Sequence, residues 1–345
     1  MPIDTARFGT LQDRDITEYI LDNRSGMIAR IIDYGGIIKQ LHVPGRDTSG
    51  DVVLGFDSLQ GYVQNKAYLG AIIGRFANRI AKGRFILDGI TRDLDINEPP
   101  NHLHGGFLGF GQYCWQSDGY LDGGDICLRL QRLSPDGEGG YPGNLNIAVI
   151  YRLTTENVLS FEISATTDQA TPVSITQHSY FNLAGHNSGD IRAHQLQIEA
   201  TKITPVDGNL IPTGELLSVR ETPYDFTTPA ELGTKLRSIT GGFDCNYIIN
   251  GTPGTLRHAA TLIDPYSGRV MNVATTKPGI QLYDGSELTA QPLCGKNNTK
   301  YPALGGLCLE TQHFPDAMNH PTFPSPILRS GEIYEHTTTF SFSIA

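Results

Sequence analysis

Apolar and polar side chains alternate along this chain with a period of two. In Leu159-Ser160-Phe161-Glu162-Ile163-Ser164 every second residue is apolar. Ile126, Leu128 and Leu130 alternate with Cys127, Arg129 and Gln131, and near the end of the sequence Phe340, Phe342 and Ile344 alternate with Thr339, Ser341 and Ser343. Successive side chains of a strand point to opposite faces, so each run predicts a strand with one buried and one wet face. Asp122-Gly123-Gly124, between Tyr120 and Ile126, predicts a hairpin turn. Asp136 to Gly140 predicts a loop ahead of the next run, Leu145 to Leu153. Helical signals are scarce. Thr228-Pro229-Ala230-Glu231 predicts a helix start, with an N-cap, a proline at the first position and a carboxylate at the third, and Gly233 keeps that helix short.

The 39 Gly and 20 Pro are spread through the 345 residues, which fits many turns between short elements. No internal repeat and no Ser/Gly/Pro linker divides the chain, and strand patterns run from Met27 to Ile344. Length alone would suggest about two domains. The patterning instead predicts one domain, residues 1–345. It is expected to be all-β, a large antiparallel β-sandwich with few short helices. A closed barrel of this many strands would be wide and hollow.

The formal net charge is −10, which disfavours a nucleic-acid partner. Met1 to Thr10 holds no apolar stretch of signal-peptide type, and no apolar run nears the roughly 18 residues of a membrane span. Five widely spaced cysteines without a C-x-x-C pair fit free thiols in a reducing compartment, so a cytoplasmic location is expected. The glycosylation-like triplets at Asn23, Asn250 and Asn297 are then chance matches.

Residues able to do chemistry fall in four places. They are Gly74 to Arg79 with Asn101 to Gly106, Gln177 to Leu183, Phe243 to Asn246, and Glu310 to Asp316. Taken singly, a loop histidine is more often a hydrogen-bonded structural residue than a catalyst. Glu310 has better standing, because it follows Leu307-Cys308-Leu309 and a carboxylate at the end of a buried strand is costly unless paired or used.

Seven collinear blocks over roughly residues 30 to 340 carry a family resemblance. They are Gly74-Arg75-Phe76-Ala77-Asn78-Arg79-Ile80, Asn101 to Gly106, Tyr141-Pro142-Gly143, His178-Ser179-Tyr180-Phe181-Asn182-Leu183, Ile211-Pro212-Thr213-Gly214-Glu215, Pro278-Gly279-Ile280-Gln281, and Leu309-Glu310-Thr311-Gln312 through Pro315-Asp316. In these blocks the sequence resembles the aldose 1-epimerases, or galactose mutarotases. The resemblance implies a β-supersandwich and the interconversion of α and β anomers of free aldohexoses such as galactose and glucose. It implies Glu310 as the base on the C1 hydroxyl and His178 as the acid on the ring oxygen. Asn78, Arg79, His104, Asp244 and Gln281 would hold the sugar, and Tyr180 or another aromatic would pack on its apolar face. Arg75 is a second candidate for contacting the sugar, with a structural ion pair the favoured reading, and His102 is expected to be structural. Cys245 stands where the family commonly has histidine, which is expected to alter the shell behind the site.

The net reaction moves only protons, so no metal or redox cofactor is expected. The partner implied is a small monosaccharide, with no nucleic acid and no membrane, and the protein is expected to be a monomer or weak homodimer. The acid/base pair is expected as Glu⁻ and HisH⁺, with His178 setting the alkaline limb of the pH profile. Three rivals stand beside this reading. His102-x-His104 resembles a cupin metal pair, but Leu108 and Gly109 occupy the positions where a cupin places its Glu. Asp244 and Glu310 are the carboxylates a retaining glycosidase would need. A non-catalytic sugar-binding module would not require Glu310 and His178 together.

Overall fold

The computed structural model describes residues 3–290 and 294–345. Its main sheet has nine strands. In spatial order they are Gln116–Asp122, Asp125–Ser134, Leu145–Leu153, Val158–Thr167, Tyr334–Ile344, Arg269–Thr275, Arg257–Ile263, Gln195–Ile198 and Ala230–Glu231. Every pairing in it is antiparallel. A five-stranded sheet runs Leu217–Ser218, Ala200–Thr204, Asp244–Ile249, Gly279–Tyr283, Cys308–Gln312. A third sheet takes Ile3–Leu11, Arg14–Asp22, Ile28–Ile32, Ile37–Val43 and Gly50–Asp51 in chain order.

The alternation predicts which side chains turn inward. In Leu145–Leu153 the residues Leu145, Ile147, Val149, Tyr151 and Leu153 are buried, while those between them are partly or fully exposed. Each large apolar side chain so removed from water contributes roughly 1.5–3 kcal/mol before conformational entropy is counted. One apolar cluster joins Val149, Met271 and Phe340 of the nine-stranded sheet to Ile203, Tyr247, Leu282 and Leu309 of the five-stranded sheet, and to Leu21, Ile31 and Leu41 of the third. The sheets therefore sandwich a shared core, as the alternation predicts.

The hairpin forms as expected. Asp122 pairs with Asp125, and Gly123 and Gly124 between them have φ of 59° and 103°. A two-residue hairpin loop with both φ positive matches the twist of its strands, which is why glycine suits both positions.

Three expectations need correction. The helix is short but spans Leu232–Leu236, with Glu231 at the N-cap and Gly233 inside it. Ala230–Glu231 is instead an edge strand on Gln195–Ile198, because tertiary pairing overrides the local capping pattern. Strands begin well before Met27, at Ile3–Leu11 and Arg14–Asp22. The first is almost wholly exposed or half-buried, so it carries no core-facing alternation. Ile344, at the end of its strand, is 49% exposed, whereas Phe340 and Phe342 are buried.

Candidate active site

The five-stranded sheet arranges three of the predicted residues by register. Gln281 lies opposite Asn246 on one side and Glu310 on the other, and Tyr283 lies opposite Asp244 and Cys308. Residues directly opposite in an antiparallel pair share a face. Asp244, Gln281 and Glu310 therefore lie on the same face. Cys245, Leu282 and Leu309, each one position out of phase, enter the core on the other side. Cys245 thus packs behind the site, as expected.

Loops bring the rest to that face. His178 follows the strand Thr176–Gln177, which pairs with Ile72–Ile73, and its backbone is held by Ala71 and Gly70. His104 follows His102–Leu103, which pairs with Arg79–Ile80. Asn78 and His104 have φ of 67° and 52°. Non-glycine residues in this left-handed region concentrate where surrounding contacts over-determine the backbone, as at functional sites. The chain is clamped there by the Asn78 amide donating to His104 Nδ1 at 3.1 Å and by the His104 amide donating to the Asn78 carbonyl at 3.1 Å. Nδ1 of His104 is therefore an acceptor, so its neutral ring carries the proton on Nε2. Burial, the facing His178 ring and Arg79 hold His104 well below the ordinary imidazole range.

At the centre, His178 Nε2 lies 3.6 Å from Glu310 Oε1, and both side chains are buried. Glu310 Oε2 is buried without a hydrogen-bond partner. Such an atom is costly unless a ligand satisfies it. Burial pushes His178 down to about 4. Burial, reinforced by the charge of Asp244 and opposed by Arg79, lifts Glu310 well above the usual carboxylate range. Both shifts run against the expected Glu⁻/HisH⁺ pair and favour the neutral forms. Removing both groups from water costs more than their mutual attraction returns.

Asp244 is oriented by two neighbours. Gln281 Nε2 donates to its Oδ1 at 2.6 Å, and Arg79 Nη1 lies 3.4 Å from its Oδ2. Gln281 is oriented in turn by Gln312, which donates to its Oε1 at 3.1 Å. Arg79 is itself gripped by Glu98 through two bonds of 2.7 and 2.8 Å. Asn78 Oδ1 accepts from the Arg79 amide at 2.8 Å. All eight predicted residues thus converge, although Arg79 is committed first to Glu98 and Asp244.

Tyr180 departs from its expected place. It is buried and stacks on His178 with ring centroids 5.2 Å apart, so that face is taken by the imidazole. It backs His178 rather than offering a sugar platform. A half-buried aromatic beside the two imidazoles is Tyr68, 4.7 Å from the His104 ring and 5.8 Å from that of His178. Tyr68 and Glu98 join the site without a sequence signal. Neither sits in a periodic run, and Pro99-Pro100 beside Glu98 signals only a turn.

His102 and Arg75 are structural, as expected. His102 Nδ1 meets the Asp95 carbonyl at 2.8 Å and its Nε2 meets the Tyr141 hydroxyl at 2.7 Å, so both ring nitrogens are used. The cupin-like pair does not converge. Arg75 makes no ion pair among the described residues, contrary to the expected ion-pair role. It donates to the carbonyls of Pro142, Gly143, Ser134 and Pro135 and pins the Tyr141-Pro142-Gly143 loop. Gly105 serves the same packing, since a Cβ there would lie 1.9 Å from the Gly74 carbonyl oxygen.

The only metal-type cluster among the described residues is His104, His178 and Glu310, whose ligating atoms lie within 4.8 Å of one another. It is the same set that an acid/base pair with a third imidazole requires.

Comparison with known proteins agrees with this geometry. Residues 17–341 match the family model described as aldose 1-epimerase. The chain is 47% identical over 323 residues to galactose mutarotase of Homo sapiens, covering 91% of each chain. It is 36% identical over 330 residues to aldose 1-epimerase of Escherichia coli K12, covering 93% of this chain and 94% of that one. Among solved structures, galactose 1-epimerase from Lactobacillus acidophilus superposes with a TM-score of 0.87 at 25% identity, covering 99% of each chain. An aldose epimerase homologue from Caenorhabditis elegans gives 0.86 at 27% identity, covering 93% of this chain and 97% of the other. With a sandwich of this architecture, a buried His–Glu pair and a match across nearly its whole length, the chain belongs to the aldose 1-epimerase family.

Proposed function

We propose that this protein is a mutarotase, an isomerase that interconverts the α and β anomers of free aldohexoses such as galactose and glucose. The observation that carries the reading is the buried His178–Glu310 pair at 3.6 Å with one carboxyl oxygen unpartnered. Glu310 takes the proton of the C1 hydroxyl while His178 protonates the ring oxygen. The bond between C1 and the ring oxygen breaks, leaving the open aldehyde. Rotation about C1–C2 presents the other face, the ring recloses, and both protons return. Each group contributes about 10²–10⁴-fold. The steps move protons alone, so the chemistry calls for no metal or redox group.

Sugar binding must first make the pair productive. Hydroxyls donating to Glu310 replace the water it has lost and favour its ionised form, and its proton passes to His178. Asp244, held by Gln281 and Arg79, accepts from two adjacent hydroxyls. His104 donates from Nε2, Asn78 supplies its amide, and Tyr68 rather than Tyr180 offers an aromatic face.

One apolar core cluster running from Tyr19 to Phe342 supports reading residues 1–345 as one domain. All five cysteines are free, which fits a cytoplasmic location. No helix among the described residues is long and apolar enough to cross a membrane. In this reading the protein works as a monomer or weak homodimer on a small sugar.

The test is polarimetry. Freshly dissolved α-D-galactose or α-D-glucose should reach its equilibrium rotation faster with the protein than in buffer, and Glu310→Ala and His178→Asn should abolish the gain. A rate equal to buffer for several aldoses would overturn the reading.

A further inference from the structure

Cys308 lies two residues before Glu310 on the same strand, and therefore on the same face of the sheet. It is fully buried, packed with Leu54, Tyr180 and Tyr283. Its sulfur lies 3.4 Å from Nδ1 of His178, the ring nitrogen that faces away from Glu310. The imidazole also bonds its own backbone, an influence smaller than burial that favours the charged ring. Resting on the mutarotase reading, we infer that Cys308 is a positioning residue whose sulfur accepts the Nδ1–H of His178 and thereby makes Nε2 the nitrogen that exchanges a proton with the substrate.

Three considerations give the bond this direction. As the acid, His178 is an imidazolium with a hydrogen on each nitrogen, and the Nδ1 hydrogen needs an acceptor where the sulfur stands. After Nε2 has given its proton to the ring oxygen, the neutral ring must keep the other proton on Nδ1, or Nε2 could not take its proton back. Glu310 Oε1 faces Nε2, and burial favours a protonated carboxyl, whose apt partner is an unprotonated Nε2 with the ring proton on Nδ1. One tautomer therefore serves the resting and the working states. Which ring nitrogen is protonated is set by the bond the other makes.

The choice of sulfur matters chemically. Catalytic histidines are often held by a carboxylate, which also stabilises the imidazolium and makes it a weaker acid. The ring oxygen of a sugar is a very weak base, so a stronger acid is useful. Burial, with the charges of Glu310 and Asp244, keeps the Cys308 thiol protonated and neutral. A neutral, weakly accepting sulfur orients the ring without adding charge. The remaining groups around the imidazole are compatible with this. They are the Tyr180 ring stacked on one side, Tyr68 and His104 on the others, and Glu310 at Nε2.

The test combines nitrogen-15 NMR of labelled histidine with kinetics, the His178 signal being assigned by its loss in His178→Asn. The wild type should show His178 protonated on Nδ1. Cys308→Ala, and Cys308→Val, which opens no cavity, should lose that preference. Their kcat should fall about 10–100-fold, the usual range for removing an orienting partner, with KM little changed. Cys308→Ser keeps an acceptor and should retain both the tautomer and most of kcat. Cys308→Asp should move the acid limb of kcat/KM to higher pH. A wild-type His178 protonated on Nε2, or an unchanged Nδ1–H signal in Cys308→Ala and Cys308→Val, would overturn the inference. Wild-type protein that leaves optical rotation at the buffer rate would instead refute the mutarotase reading, and the NMR spectrum would still decide the Cys308 contact.

Discussion

The pH profile of kcat/KM follows from the burial of two groups, and its limbs are the reverse of what free side chains would give. In water the ordinary values of 6.5 for His and 4.5 for Glu favour the ion pair by about 2 units, about 3 kcal/mol. Burial of His178 to about 4 cancels that preference by itself. The rise of Glu310, driven by burial and then by Asp244, turns it toward the neutral pair. The active form holds one proton on the pair. Below about 4 a second proton adds to His178 and no base remains, so the acid limb lies near 4 and is set by His178. Above the raised Glu310 value the single proton is lost and no acid remains. The alkaline limb is therefore set by the proton resting on Glu310, not by His178. Asp244→Asn removes a charge that raises Glu310, so this limb should move to lower pH. The assay is the initial rate of α-D-galactose mutarotation, read by polarimetry immediately after dilution into each buffer, with the buffer rate subtracted. An acid limb near 6.5, or an alkaline limb that Asp244→Asn moves upward, would refute the reasoning.

Other outcomes follow from the same geometry. Asp244→Asn should also raise KM by about 10- to 100-fold, since a bond to a charged acceptor contributes about 1.5–3 kcal/mol; initial rates against sugar concentration check this. Tyr68→Ala should lower kcat/KM about tenfold, the order of an aromatic contact, while Tyr68→Phe should stay near wild type. His102→Ala leaves the Tyr141 hydroxyl and the Asp95 carbonyl without their partner, so it should cost about 1–3 kcal/mol in urea unfolding and barely alter kcat. Acid should also destabilise the fold. His102, His178 and His194 are each held at about 4 by burial, below the 6.5 of the unfolded chain, so the unfolded state binds more protons between those values. Stability is complete above about 6.5 and falls as pH drops toward 4, by about 3 kcal/mol per histidine, with raised carboxyls such as Glu310 acting in the opposite sense. A urea midpoint equal at pH 7 and pH 4.5 would contradict this.

Much of this was legible in the chain. The alternation in Leu145–Leu153 and Val158–Thr167 names the buried face residue by residue, because the period of a strand is a local property. The helix near Gly233 was misplaced because its capping pattern competes with a strand partner more than 30 residues away, Gln195 opposite Glu231. The exposed first strand left no periodic trace. At the site, the eight residues that the resemblance implies come together, while the partners that orient them carry no sequence signal. Glu98 grips Arg79 across a turn, and Gln312 reaches Gln281 across a strand pair. Tyr180 has the chemistry of a sugar platform, and only its stacking on His178 assigns it elsewhere.

The sequence by itself determined the fold class, the strand faces and the residue types available for moving protons, since these depend on local pattern and intrinsic chemistry. Tertiary structure decided what the chemistry becomes. Register sets Glu310 beside Gln281 and on the same face as Asp244, loop packing brings Nε2 of His178 to 3.6 Å from Glu310, and Cys308 takes the other ring nitrogen. Where the proton rests depends on how much water each group has lost and which charges face it. Those are properties of the assembled site, and no stretch of the chain carries them alone.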